Sequence, residues 1–259
     1  MASLVPAATD LIVGMSAADH LVAVSSWETN RPEIQQLSRV GDYQTTDWEK
    51  LAELRPDIMV VFMNADRLPP GLTQRADDLH IKLVNLQSSG LERLDDVFKT
   101  SLLLGDLIKE PQKAADLSRN IRAQLDAVAK RVSNQPKIRT LIARDEEGFA
   151  LIAGDTFIDD LLTIAGGTNV AGNIGRRYPN VDREQIIEMS PQVIIQLIPD
   201  ATPQVIERAR KTWEQLPDLP AVQDKKVFIL TDWYVIQPGS HVGDLATKFA
   251  DILHPAAAP

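Results

Sequence analysis

The 259-residue chain contains no cysteine. Disulfides, thiolate metal sites and cysteine nucleophiles are therefore excluded, while the compartment stays open. Aromatic residues make up only 5% of the chain, so the places where they gather carry information. No apolar run approaches the roughly 18 residues expected of a membrane span. Net charge is −9, and the most basic runs are the pairs Arg176-Arg177 and Lys225-Lys226. Nucleic acid is not expected as a partner of such a chain. Enzyme signatures are missing too: there is no Gly-x-Ser-x-Gly elbow and no Gly-x-x-x-x-Gly-Lys-Ser/Thr loop. The four histidines, His20, His80, His241 and His254, have no His-x-x-x-His or His-x-x-Glu spacing, so no direct metal site is expected. Asp145-Glu146-Glu147 reads as a solvated turn rather than a catalytic carboxylate pair.

What is present is an ordinary globular composition, 44% apolar and 24% charged. The length suits two modest domains or one large one. The chain opens on Met1-Ala2-Ser3 and runs directly into an apolar strand. Two origins fit that start: a cytoplasmic protein, or a chain whose export signal has been removed.

A sixteen-residue pattern occurs twice, 135 residues apart. Residues 47–62 read Asp-Trp-Glu-Lys-Leu-Ala-Glu-Leu-Arg-Pro-Asp-Ile-Met-Val-Val-Phe, and residues 182–197 read Asp-Arg-Glu-Gln-Ile-Ile-Glu-Met-Ser-Pro-Gln-Val-Ile-Ile-Gln-Leu. Asp, Glu, Glu and Pro fall in register. Each copy predicts a capped short helix, a proline break and a buried strand. Two similar α/β lobes follow from the duplication. Two lobes imply a cleft, and a cleft implies a ligand.

Strand and helix alternate from residue 3 to about residue 90, which predicts a mostly parallel sheet. Ser3-Leu4-Val5 is read as a strand, and a helix follows with Thr9 at its N-cap. Residues 27–42 are polar and irregular, and residues 64–71 form a proline-containing loop. The middle of the chain is helical. Apolar positions Ala114, Leu117, Ile121, Leu125 and Val128 recur at helical spacing, predicting one helix over about 112–132. Gly166-Gly167 stops a later helix, and αβ alternation resumes to the end. The tail 255–259 is expected to fray. The expected fold class is α/β: two α/β lobes with mostly parallel central sheets joined by one long backbone α-helix. The expected division is 1–90, a helical segment 91–136, and 137–259.

With this layout the chain resembles the substrate-binding proteins of ABC importers that carry ferric siderophores, haem or cobalamin. The carriers are Ser3-Leu-Val-Pro6-Ala-Ala-Thr9-Asp10-Leu11, Asp47-Trp-Glu49 with Leu54-Arg-Pro56-Asp57, and Gly166-Gly167-Thr-Asn169-Val170. Tyr178-Pro179-Asn-Val181-Asp-Arg-Glu184 with Ser190-Pro191-Gln192, and Thr231-Asp232-Trp233, complete them. The cobalamin-binding branch is the most similar in the Tyr-Pro and Asp-Trp segments. The resemblance implies a non-enzymatic, periplasmic or otherwise extracytoplasmic protein, expected as a monomer. Its partners would be an ABC transporter permease and a metal-chelate ligand, cobalamin or a ferric siderophore, with no cofactor and no protein-ligated metal. The alternative is an α/β enzyme, or a cytoplasmic non-transport binding protein, using the same cleft.

Two sets of residues are candidates for function. Glu49 and Glu184 lie at the same place in the two copies. The resemblance implies that they dock onto permease arginines, as exposed acids suited to steering and register. Helix capping, with boxes Thr46–Glu49 and Asp182–Gln185, is an equally local explanation. The ligand-binding candidates follow predicted strands, where open α/β sheets take ligands: Pro6, Ala7, Trp27, Tyr43, Phe62, Asn64, Arg144, Phe149, Tyr178, Trp233 and Tyr234. Aromatic faces among them suit a flat or catechol-bearing chelate. Arg144, Arg176 and Arg177 suit its acidic groups. Trp48 and Trp213 are assigned to packing.

Overall fold

The computed structural model describes residues 1–29, 31–64, 69, 71–88 and 90–255. The chain divides into two compact units, Met1–Leu91 with Asp95–Asn120, and Glu92–Leu94 with Ile121–Pro259. Each is built on its own parallel sheet.

In the first unit the strands are β1 (Ala2–Ser3), β2 (Ala23–Val24), β3 (Ser38–Arg39), β4 (Ile58–Val61) and β5 (Lys82–Asn85), in the order β3-β2-β1-β4-β5. Helices α1 (Pro6–Gly14), α2 (Trp48–Leu54) and α3 (Leu72–Asp78) connect them, and α4 (Leu94–Leu107) follows. Every strand pair is parallel. Parallel strands are covered on both faces, so they read as apolar runs rather than alternations. Met59, Val60 and Val61 are all fully buried. Met59 and Val61 share one core with Ala2, Ala23, Leu51 and Ala76.

The second unit pairs β6 (Ile138–Ala143), β7 (Gly167–Asn169), β8 (Val193–Leu197) and β9 (Val227–Leu230) in the order β7-β6-β8-β9. These pairs are parallel as well. Its helices are α6 (Phe157–Ile164), α7 (Arg183–Met189), α8 (Pro203–Glu214), α9 (Pro220–Gln223) and α10 (Val242–Leu253). Leu141, Ile186, Ile194 and Trp213 lie in its core. Trp213, 2% exposed, donates its indole N–H to Gln196 Oε1 at 2.8 Å.

The long helix is α5 (Pro111–Val132), 22 residues, or about 33 Å at 1.5 Å per residue. Residues 111–120 belong to the first unit and residues 121–132 to the second. Ala114, Ile121, Leu125, Val128 and Val132 are buried, one apolar stripe at helical spacing. Pro111 begins this helix, because proline at a first helical position sacrifices no bonded N–H.

The duplicated pattern is a duplicated structure. Asp47 and Asp182 each cap a seven-residue helix, α2 and α7. Arg55 and Ser190 end them with φ of 46° and 45°, followed by Pro56 and Pro191. The two strands that follow lie in separate sheets.

Several local expectations are corrected. Thr9 is not an N-cap. Pro6 starts α1 directly after Val5, and Thr9 is buried inside the helix with its hydroxyl bonded to Ser3 Oγ at 2.9 Å. The first-copy box is not Thr46–Glu49: Asp47 accepts the Lys50 amide at 3.1 Å, and Thr46 donates to the Asp42 carbonyl at 2.6 Å. The second-copy box, Asp182 with Gln185, is present. The irregular stretch 27–42 contains β3, two residues held by parallel pairing with β2. Gly166, with φ of 88°, does follow the end of α6, but Gly167 already starts β7. Short α9 has no counterpart among the elements expected from the sequence. Most of the loop 64–71 and of the tail 255–259 lies outside the described residues.

Candidate functional site

In a parallel sheet all carboxyl ends share one edge, so residues that follow different strands collect there. In the first unit Pro6 and Ala7 follow β1, Trp27 follows β2, Tyr43 follows β3, and Phe62 and Asn64 follow β4. The strand order reverses direction between β1 and β4, the switch point at which open α/β sheets leave a crevice. In the second unit Arg144 and Phe149 follow β6, Tyr178 follows β7, and Trp233 and Tyr234 follow β9. The ligand candidates therefore lie along the carboxyl edge of their own sheet.

In the first unit Trp27 is 74% exposed, and its indole N–H donates to Asp42 Oδ2 at 2.9 Å. Asp42 Oδ1 accepts the amides of Gln44 and Thr45, both at 2.8 Å. These bonds, the Thr45 amide foremost, hold the Asp42 carboxyl below its ordinary pKa. The turn depends on Gly41: at φ of 84°, an added Cβ would lie 1.9 Å from the Thr45 carbonyl oxygen. Tyr43, 38% exposed, stands in the same turn. After β4, Asn85 brackets Met63, accepting its amide at 3.3 Å and donating to its carbonyl at 2.8 Å. Asn64 is exposed and accepts from Gln87 Nε2 at 2.5 Å. Pro6 is half-buried and Ala7 is buried in the first turn of α1. Phe62 is half-buried.

In the second unit residues 144–150 form a turn closed by Arg144 N–H to Ala150 O at 2.9 Å. The segment carrying Tyr178 pairs with the chain beyond it, through Leu151 N–H to Pro179 O and Ala153 N–H to Arg177 O. The outcome is Arg144 over the Tyr178 ring, 5.2 Å from its centroid. Phe149 is half-buried, packs against the core and receives Arg183 at 6.0 Å. Arg177 is engaged by Glu92 at 2.5 Å and by the Asp155 carbonyl, whereas Arg176 is exposed.

After β9, Trp233 meets Tyr234 edge-on at 5.6 Å, and His241 stacks on Tyr234 at 4.7 Å. Lys248, on α10, pairs with Asp232 at 2.8 Å and lies 5.9 Å from the Tyr234 centroid. Its hydrogen bond to Asp232 raises the Lys248 pKa. Burial pushes the Tyr234 phenol up, and Asp232 adds to that. His241, Asp232 and Lys248 were absent from the sequence-derived site. His241 lies only seven residues beyond Tyr234, in the turn before α10. Lys248 arrives by helix docking, which leaves no local signal.

Glu49 and Glu184 are both exposed, each the second residue of its helix. Because α2 precedes β4 and α7 precedes β8 in parallel sheets, both helices begin at the carboxyl edge of their unit. Neither glutamate is the cap; Asp47 and Asp182 are. Trp48 packs against the first core while Arg75 lies over its ring at 5.9 Å. Among the described residues no group of three or more His, Cys, Asp or Glu side chains is placed to hold a metal ion. No described helix is long and apolar enough to cross a membrane.

A vitamin B12-binding protein of Vibrio parahaemolyticus is 26% identical over 234 residues, covering 89% of this chain and 81% of that protein. The crystal structure of a periplasmic vitamin B12 binding protein of Vibrio cholerae superposes with a TM-score of 0.77 at 23% identity, covering 97% of this chain and 94% of the other. A periplasmic heme binding protein of Vibrio cholerae gives 0.82 at 21% identity, with 98% of each chain covered. The periplasmic binding protein family matches residues 1–234. With its two parallel α/β units and that match over most of its length, the chain belongs to the periplasmic binding protein family.

Proposed function

We propose that this protein captures a metal chelate, a corrinoid, a haem or a ferric siderophore, and delivers it to the permease of an ABC importer outside the cytoplasm. The observation that carries this reading is the set of aromatic faces and cations along the two carboxyl edges: Trp27 and Tyr43 on one sheet, Arg144, Tyr178, Trp233 and Tyr234 on the other. Rings of this kind suit the flat faces of a macrocycle or a catechol. Arg144 suits carboxylate or phosphate groups at its periphery. The metal arrives already chelated, as cargo. The names of the relatives, which bind vitamin B12 or haem, support the same class of ligand. In this reading Glu49 and Glu184 meet arginines of the permease.

The test is a panel of vitamin B12, haemin and ferric siderophores, followed by tryptophan fluorescence and by melting temperature. A ligand bound only by the folded state raises the melting temperature. A dissociation constant of about micromolar or tighter is expected, roughly 8 kcal/mol. If no member of the panel shifts either signal, the reading fails.

A further inference from the structure

The loop that presents Trp27 rests on a buried charge cluster. Asp10, on α1, is 1% exposed; Glu28 and Arg31, on the loop after β2, are 7% and 6% exposed. Arg31 reaches Asp10 at 3.0 Å and Glu28 at 3.7 Å. Two carboxylates thus share one enclosed guanidinium. Glu28 Oε1 is buried with no hydrogen-bond partner. From β3, Arg39 is half-buried and donates to the carbonyls of Glu28 at 2.8 Å and Ser25 at 3.3 Å. Arg39 is thus bound to the backbone rather than to a carboxylate. Thr9, Asp10, Arg31 and Arg39 are the polar and charged groups acting on the Glu28 carboxyl.

A buried charge without full pairing is costly, and the cheaper solution is to neutralise it. We infer that the Asp10–Glu28–Arg31 cluster is a proton-binding site that positions the Trp27 loop: one proton on Glu28 leaves a matched Asp10–Arg31 pair and a docked loop, and its loss loosens the loop. Glu28 is the residue next to Trp27, and Ser25, which Arg39 holds by its carbonyl, accepts the Trp27 amide on its hydroxyl at 3.1 Å. Release of Glu28 therefore acts on the backbone that aims the indole. Burial raises the Glu28 pKa from 4.5 to about 7, with Asp10 adding to the rise and Thr9, Arg31 and Arg39 opposing it. The cluster is accordingly poised near neutral pH. Glu28 is a positioning residue here. Its effect on ligand rests on the proposed role of Trp27, but its effect on the loop does not.

The experiment is amide hydrogen exchange over residues 25–42 of the ligand-free protein, corrected for intrinsic rates, between about pH 5.5 and 8.5. A proton-linked opening changes by up to about tenfold per pH unit between the open-state and closed-state pKa values, here 4.5 and about 7, so wild-type exchange should rise at least several-fold up to about pH 7 and then level off. Glu28→Gln, which mimics the protonated acid, should give a flat profile. Asp10→Asn removes the competing carboxylate and should move the transition to lower pH. The carbon-13 shift of the wild-type Glu28 carboxyl, which needs no variant, should titrate near 7. A flat wild-type profile, a Glu28→Gln profile that still rises, or a Glu28 carboxyl that titrates near 4.5 overturns the inference. Vitamin B12 and haemin affinities, measured across the same range, should fall with the loop transition. If neither binds, the ligand reading is lost while the exchange result still decides the inference.

Discussion

Asp47 and Asp182 stand 135 residues apart and do the same job: Asp47 accepts the Lys50 amide at 3.1 Å, and Asp182 the Gln185 amide at 2.8 Å. Only Asp182 is answered in return, by Gln185 Oε1 accepting its amide at 3.0 Å. Replacing an N-cap aspartate by alanine costs about 0.5–2 kcal/mol. Asp182→Ala and Asp47→Ala should both fall in that range, and Gln185→Ala, which removes the reciprocal bond while Asp182 still caps, should cost a further loss of its own, all read as changes in denaturant midpoint. No loss in Gln185→Ala would mean that the reciprocal bond adds nothing.

Glu49 and Glu184, two residues after those caps and in the first turn of their helices, do not cap them. Reversing both, Glu49→Lys with Glu184→Lys, places like charge against permease arginines, a contact that costs several kcal/mol. Transport reconstituted with the cognate permease should collapse while ligand affinity stays within error and stability falls only by the helix-dipole contribution, about 0.3–1 kcal/mol per helix. Normal transport by the double variant would remove the docking role.

Trp27 separates binding from folding because it is 74% exposed. Trp27→Ala should change stability by under about 0.5 kcal/mol. If the ring meets the ligand, it should weaken chelate binding by about 1–3 kcal/mol. Trp213→Ala should do the reverse. A buried tryptophan costs about 3–5 kcal/mol on truncation, and Gln196 loses its partner, with no change in intrinsic affinity. Isothermal titration beside urea unfolding distinguishes the two.

Glu28 also predicts the pH dependence of stability. Its folded pKa is raised, so between pH 4.5 and about 7 the native state holds a proton that the unfolded chain has released. Stability therefore falls as pH rises through that window, by on the order of 3 kcal/mol in total. Asp159, raised chiefly by burial, adds a slope of the same sign. The difference between wild type and Glu28→Gln isolates the Glu28 part. Asp42, whose pKa is lowered, contributes in the opposite sense, losing stability only in acid below its ordinary value of 3.8. Parallel curves for wild type and Glu28→Gln would place the Glu28 titration elsewhere.

The 135-residue duplication, the alternation of apolar runs with helical stripes, and the stripe of α5 were sufficient to read two parallel α/β units and one long helix from the chain alone. Such patterns are local and repeat along the backbone, so they survive in one dimension. The edge residues were legible for a related reason. Parallel pairing brings every strand's carboxyl end to one side, so naming the residues after each strand names the edge. What only the tertiary structure decided depends on which distant groups meet. The two-residue strand β3 exists through its pairing with β2. Arg144 finds Tyr178 because residues 150–153 pair on one side with the chain at the end of β6 and on the other with the segment carrying Tyr178. Lys248 reaches Asp232 and Tyr234 from a helix whose sequence marks only its apolar face. Burial is also collective: nothing in the sequence joins Asp10, Glu28 and Arg31, which are enclosed only where α1 and the loop after β2 meet, and that enclosure raises the Glu28 pKa.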